Sequence, residues 1–238
     1  MKKESVRKLE RVQLGFLKRL LQLPRSAPTA GVWWDSGCLP MEWRIVAEKL
    51  KFVQHLEWKV GESLAAKLWR LEKEEKVTGL KAELEMYINK YSLPPPSRLM
   101  SKAQYKKALK KAVQEEARGE IRIMLTESSK LRYLVGWEQD RGPQMTMTDL
   151  ERIRFITRCR LGSHSSFTGD FGSGKHCSCG NLDTIGHVRR GCHLYNDILP
   201  ESYETYNSVE LSEAVYKAIL ARKEELERDR REQLSGCG

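Results

Sequence analysis

Three cysteines and a histidine lie close together near the C-terminal end of this 238-residue chain, at Cys177, Cys179, His187 and Cys192. Thiolate and imidazole groups are the ligands that Zn²⁺ prefers, and four of them complete a tetrahedral shell. Such a shell leaves no open position for a catalytic water, so the sequence predicts a structural zinc site. Because a loop of this size has no core of its own, metal removal is expected to unfold residues 160–200 selectively.

The identity of the first zinc ligand remains open from the spacing. Zinc loops usually place two or more residues between their first two ligands, whereas only Ser178 separates Cys177 from Cys179. His176 has the wider spacing to Cys179, so either His176 or Cys177 is a candidate for the first ligand.

The residues around the four candidate ligands fit a compact loop followed by a short helix. Gly180 permits a left-handed turn directly after Cys179. Asp183 and Thr184 are suitable caps for a helix that would carry His187.

The net charge of the chain is +10, from 42 Lys and Arg against 32 Asp and Glu. An excess of this size favours a polyanionic partner, most often RNA or DNA, contacted through its phosphate backbone. Much of the excess lies in residues 1–25 and 98–135. The positions expected to contact phosphates are Lys18, Arg19, Lys102, Lys106, Lys107, Lys110, Lys111, Arg154 and Arg158. The alternative interpretation is that these lysines and arginines form solvated helix faces that keep the protein soluble.

Apolar residues recur at intervals of three and four along most of the chain, which is the helical period. The predicted fold is therefore mainly α, with helical bundle-like segments, a small zinc-knuckle loop region and a C-terminal helix. The predicted divisions are a helical region over 1–92, a Pro-rich linker over 93–97, a basic helical region over 98–160, the zinc knuckle over 161–200, and a C-terminal helix and tail over 201–238.

Proline and glycine punctuate the N-terminal half. A first helix is expected over Ser5 to Leu23, ended by Pro24, and a structured loop over Pro24 to Pro40. Trp33 and Trp34 lie in that loop, where they could stack on unpaired bases or pack into the core. The second helix is predicted to bury Trp43, Val46, Leu50, Val53, Leu56, Val60, Leu64 and Leu68.

Several classes of protein are excluded by what the sequence lacks. It contains no Walker-type phosphate loop, no Gly-x-Ser-x-Gly elbow, no His-Glu-x-x-His and no Tyr-x-Asp-Asp, so no catalytic apparatus is expected. No apolar run is long enough to cross a membrane. Cysteines grouped with histidines indicate a reducing compartment, so a nuclear or cytoplasmic location is expected rather than secretion.

Three stretches resemble one family, the non-LTR (LINE-type) retrotransposon reverse transcriptase polyproteins. The first runs from Leu9 through Gln13 and from Phe16 through Ala30, followed by Gly37-Cys38-Leu39-Pro40 and Arg44-Ile45. It is similar to the region just after the polymerase core. Cys177 to Tyr195 is similar to the zinc-binding segment downstream of that core, and Arg158 to His164 is similar to the stretch that leads into that segment.

The resemblance implies that the chain corresponds to the thumb-like and zinc-knuckle C-terminal part of such a polyprotein, with residues 1–92 as the thumb-like region. It further implies that the polymerase core lies before residue 1, so that the chain is not an enzyme by itself. The implied function is a nucleic-acid-binding accessory region of a reverse transcriptase, with the upstream core as a further partner. The alternatives are a helical protein-interaction module, with the 209–234 helix as its partner surface, and a decayed transposon fragment without selected activity.

Overall fold

The computed structural model describes residues 3–58, 63–74, 79–128, 131, 134–135, 150–164, 176–181, 184–189, 192–199 and 209–235. Within these ranges the chain is helical and contains no β-strand, which confirms the predicted mainly α class. The helices are α1 Lys3–Leu20, α2 Thr29–Ser36, α3 Met41–Trp58, α4 Leu64–Glu74, α5 Leu80–Tyr91, α6 Lys102–Glu127, α7 Leu150–Arg160, α8 Ile185–Arg189 and α9 Val209–Ser235, with a 3₁₀ turn at His193–Tyr195. None of the described helices combines the length and the apolar character that crossing a membrane requires.

The chain divides into two compact units that are not contiguous in sequence. Unit 1 comprises Met1–Glu10 and Leu39–Glu120, and unit 2 comprises Arg11–Cys38 and Ile121–Gly238. The candidate metal ligands all belong to unit 2, whereas the predicted lysine cluster of α6 belongs to unit 1.

The core of unit 1 is built on one face of α3. Its predicted apolar stripe is buried over the first five positions: Trp43, Val46, Leu50, Val53 and Leu56. The stripe does not continue as predicted, because α3 ends at Trp58 and the separate helix α4 begins at Leu64. Leu64 and Leu68 are 71% and 55% exposed, and α4 buries Ala66 and Trp69 instead. Val60 lies outside the described residues.

The proline-rich stretch 93–97 lies inside unit 1. Leu93 is buried in the core, and the side-chain amide of Gln54 donates to the Ser97 carbonyl at 2.8 Å and accepts the Ser97 N–H at 2.8 Å. The Tyr105 hydroxyl donates to the Pro94 carbonyl at 3.1 Å. These hydrogen bonds fix the stretch against α3 and α6, so it is not a free spacer within unit 1.

Ser101 with Gln104 three residues later is a spacing that predicts a capping box, and α6 begins there. The Gln104 N–H donates to Ser101 Oγ at 3.3 Å, and the Ser101 N–H donates to Gln104 Oε1 at 3.1 Å. Within unit 1 its buried side chains recur every four residues, at Tyr105, Leu109, Val113 and Ala117. The helix continues through Gly119 to Glu127.

In unit 2, α1 ends three residues earlier than the sequence predicts. Gln22 adopts a left-handed conformation with φ 53°, and the Leu23 N–H donates to the Lys18 carbonyl at 2.8 Å. This bond closes the last turn before Pro24, as in a Schellman ending.

Residues 29–36 form helix α2 rather than the loop that was predicted over 24–40. Gly31 allows this helix to pack closely, because a Cβ at that position would lie 2.5 Å from Leu161 Cδ2. Trp33 is buried in the same core, and Trp34 packs against it. Both indoles therefore serve packing rather than an exposed stacking platform.

Candidate metal centre

The four predicted ligands converge on one point. The ligand atoms of Cys177, Cys179, His187 and Cys192 all lie within 4.8 Å of one another. The sulfurs of Cys177 and Cys192 are 3.9 Å apart, and Cys179 Sγ is 3.0 Å from His187 Nε2. A tetrahedron with metal–sulfur bonds of about 2.3 Å has edges of about 3.8 Å. The cluster could therefore hold one metal ion.

The thiols of this cluster are not joined by disulfides. Cys177, Cys179 and Cys192 are all free cysteines. The 3.9 Å between Cys177 Sγ and Cys192 Sγ is nearly twice the roughly 2.05 Å of a disulfide bond. Three unlinked sulfurs around a common centre are available as ligands for a metal ion.

The structure brings Cys177, and not His176, into the cluster. Cys177 is buried with its sulfur among the other ligand atoms, while His176 is exposed and lies outside the group. The single-residue spacing to Cys179 is accommodated by a tight turn, in which the Gly180 N–H donates to the Cys177 carbonyl at 2.8 Å. Gly180 has φ 91°, a value that favours glycine, so the predicted left-handed turn is confirmed.

The turn also places Asn181 against the cluster. The Cys177 N–H donates to the Asn181 carbonyl at 2.8 Å, and Asn181 Nδ2 is 3.5 Å from Cys179 Sγ. Asn181 was not among the predicted site residues. The only signal was its position two residues after a ligand, where an amide can reach the sulfur.

Thr184 directs His187 towards the thiols. Thr184 Oγ1 accepts the His187 N–H at 3.0 Å, which caps the five-residue helix α8 as predicted. Asp183, the other predicted cap, lies outside the described residues. Cys192 follows α8 and begins the 3₁₀ turn, because its carbonyl accepts the Tyr195 N–H at 2.9 Å.

The thiols of the cluster have different proton affinities. Burial raises the pKa of Cys177, and it raises the pKa of Cys192 to about 12. Burial also opposes ionisation of Cys179, but hydrogen bonds from the backbone and side chain of Asn181 lower its pKa overall. A cation held among the sulfurs stabilises all three as thiolates, which are the species that bind metal.

The cluster does not stand apart from the core of its unit. Cys177 and Cys192 are packed in one apolar cluster with Ile185, Ile153 and Tyr216. The loop was expected to have no core of its own, and Cys177 and Cys192 instead share the core of unit 2. Loss of the metal is therefore expected to loosen unit 2 beyond the knuckle itself.

Two contacts connect the knuckle to α9. Arg189, two residues after His187, donates from Nη1 to the buried Tyr216 hydroxyl at 3.0 Å. Asp197, five residues after Cys192, forms an ion pair with Arg222. The first half of α9 also packs on α7, so this part of the helix is not an open partner surface within unit 2.

The predicted phosphate-binding residues of unit 2 are mostly engaged within the protein. Lys18 Nζ donates to the Arg25 carbonyl at 2.7 Å, and burial lowers the pKa of Lys18. Arg154 Nε donates to the Leu20 carbonyl at 2.7 Å. Arg19 is exposed, but its Nε donates to the Gly15 carbonyl at 3.2 Å, and Arg158 is half-buried.

The predicted basic residues of α6 are all exposed: Lys102, Lys106, Lys107, Lys110 and Lys111. Lys111 approaches Glu115 at 3.9 Å. No described carboxylate lies within salt-bridge distance of the other four. Arg118 is also exposed and lies seven residues after Lys111, which places the two on one side of the helix; the predicted phosphate-binding residues did not include it. Comparisons with protein-family models, curated proteins and solved structures found no match to this chain.

Proposed function

We propose that this chain is a nucleic-acid-binding, non-catalytic protein region with a structural zinc ion, as its resemblance to the C-terminal part of LINE-type reverse transcriptases implies. The observation that carries the proposal is the set of exposed cations on α6 without described carboxylate partners. Cations held in this way on a rigid helix can displace the counterions condensed on a phosphate backbone.

The charges of α6 are segregated about its buried stripe. Lys106 and Lys110 each follow a buried residue by one position, and Arg118 follows Ala117. Glu116 precedes Ala117 on the other side of the stripe. Glu120 is one turn further along, where its two carboxylate oxygens accept hydrogen bonds from Trp43 and Tyr91. Glu116 and Glu120 therefore lie away from Lys106 and Lys110, whereas Glu115 lies 3.9 Å from Lys111. The separation around Lys106 and Lys110 supports a surface for an anion more than a self-neutralised solvated face.

Zinc is the metal that best suits the cluster. Three thiolates and one imidazole in a tetrahedral arrangement are a common structural zinc set. The four ligands and the core around them support a role in folding unit 2, because binding a metal among converging ligands contributes folding free energy.

The function is tested by measuring the affinity of the full zinc-loaded chain for short DNA and RNA at several salt concentrations. We expect affinity to fall steeply with salt and to weaken in Lys106→Gln/Lys110→Gln. The matched control is Arg228→Gln/Arg230→Gln, which removes two exposed cations from α9 and lowers the net charge equally. Equal loss in both variants, or salt-independent binding, would contradict the proposal.

A helical protein-interaction module is the second candidate. It is favoured by α4, whose outer face presents Leu64, Leu68 and Leu71 at helical spacing, each more than half exposed. Leu68→Glu should then abolish partner capture while leaving nucleic-acid binding unchanged.

A further inference from the structure

The cations of α6 form two rows in unit 1. Row one consists of Lys102, Lys106 and Lys110, and row two consists of Lys107, Lys111 and Arg118. At 3.6 residues per turn, the two rows lie about a third of a turn apart around the helix. All six side chains are exposed, so both rows face solvent within the unit.

The strip between the two rows carries no charge. Helical geometry places Ala103 and Gln114 there, both with uncharged side chains. This helix face can therefore approach a surface closely while the longer lysines extend to either side.

The dimensions of this face match a groove bordered by two phosphate strands. The rows extend over residues 102–118, which is roughly 24 Å along the helix axis, and a helix with side chains is about 10–12 Å across. The major groove of B-DNA is about 12 Å wide and admits an α-helix. Cations on both sides of the helix would then each face one of the bordering strands.

Other nucleic acids fit this face less well. The major groove of A-form RNA is deep and narrow, and side chains do not reach into it. Single strands are held largely by bases stacked on aromatic rings. The one aromatic residue in 102–118 is Tyr105, which is 1% exposed and donates its hydroxyl proton to Pro94.

We infer that the partner of unit 1 is duplex DNA, with α6 lying in the major groove, row one towards one strand and row two towards the other. This inference rests on the proposed nucleic-acid-binding function and specifies its substrate. Contacts from these rows are made to phosphates, so they position the helix without selecting a base sequence.

The test compares a duplex DNA, the duplex RNA of the same sequence and the single DNA strand as ligands of the full zinc-loaded chain. We expect the duplex DNA to bind most tightly. Lys106→Gln/Lys110→Gln and Lys107→Gln/Lys111→Gln should each reduce the slope of log affinity against log salt by about 1.8, from about 0.9 per lost phosphate contact. Arg228→Gln/Arg230→Gln should leave that slope unchanged.

The outcomes distinguish failure of this inference from failure of the proposed nucleic-acid-binding function. Equal or tighter binding of the RNA duplex or the single strand would overturn duplex DNA as the partner while retaining nucleic-acid binding. A slope change confined to one row would overturn the placement in the groove. If no nucleic acid shows salt-dependent binding, the proposed function itself fails.

Discussion

Arg160 Nε lies 3.1 Å from Asp35 Oδ1, although the two residues are 125 positions apart in the sequence. Neither side chain is more than 1% exposed. The pair joins the end of α7 to α2 in the core of unit 2. Removing one member of a buried ion pair leaves the other charge without compensation, and this costs more than the intact pair contributes.

Asp35→Asn is therefore expected to lower the free energy of unfolding by about 3–5 kcal/mol, measured by urea denaturation. The double variant Asp35→Leu/Arg160→Met should recover part of that loss, because it removes both charges and keeps apolar volume. If the free energy of unfolding of Asp35→Asn lies within about 1 kcal/mol of the parent's value, the pair does not have this role.

Gly31→Ala should destabilise unit 2 by about 1–3 kcal/mol, because the new Cβ would overlap Leu161. A Cβ at Gly31 would lie 2.5 Å from Leu161 Cδ2 and 3.2 Å from Leu131 Cδ1. The matched control is Gly119→Ala in α6, where a Cβ would meet no atom within 4 Å. The control should stabilise the protein by about 0.5–1 kcal/mol, since alanine favours a helix interior. Similar unfolding midpoints for the two variants would refute the close approach.

The ion pair of unit 1 between Lys49 and Glu83 predicts a dependence of stability on pH. Lys49 Nζ donates to both Glu83 oxygens, at 2.6 and 2.7 Å. Burial opposes ionisation of Glu83, but the ammonium group lowers its pKa overall below the usual 4.5. A lowered folded-state pKa stabilises the protein above the unfolded value, and this contribution is lost as pH falls through the folded value.

Lys49→Met should thus reduce stability at pH 7 by about 1 kcal/mol, with the difference from the parent shrinking below pH ~4.5. Thermal unfolding of the variant and the parent between pH 3 and 7 measures this difference in stability. Lys51→Met, which breaks the more exposed pair with Glu48, serves as the control and should change little. If the difference in stability between Lys49→Met and the parent grew as the pH fell, the stabilising role of the ion pair would be wrong.

Metal removal should loosen α9, because two of the side chains that contact this helix lie within five residues of a ligand. Arg189 contacts Tyr216, and Asp197 contacts Arg222. After chelation we expect faster amide hydrogen exchange over residues 212–222, while residues 43–56 in the core of unit 1 keep their protection. Unchanged protection in α9 would show that its attachment does not depend on the metal.

Sequence patterns within one segment predicted the features that are formed by residues of that same segment. The first five positions of the α3 stripe and the Ser101–Gln104 capping box follow from spacing within one helix, and both are confirmed. The ligand cluster was also accessible from the sequence, because its four members lie within one short segment and a metal site needs these residue types together.

Tertiary packing decided what local patterns missed. Helix α2 forms in a segment rich in turn residues because Val32 and Trp33 are buried in the core of unit 2. Leu64 and Leu68 continue the period of α3 but lie on a new helix with a different buried face. Lys18 and Arg154 were predicted to contact phosphates. Both instead donate hydrogen bonds to backbone carbonyls that only the fold brings near.

The zinc content per chain decides whether Cys177, Cys179, His187 and Cys192 together hold one metal ion. Elemental analysis of the purified chain measures it directly, with Cys192→Ala as the ligand variant and His176→Ala as the control outside the cluster. We expect one zinc ion per chain in the parent and in His176→Ala, and loss of zinc in Cys192→Ala. Unchanged zinc in Cys192→Ala, or loss of zinc in His176→Ala alone, would show that the assignment of the four ligands is wrong.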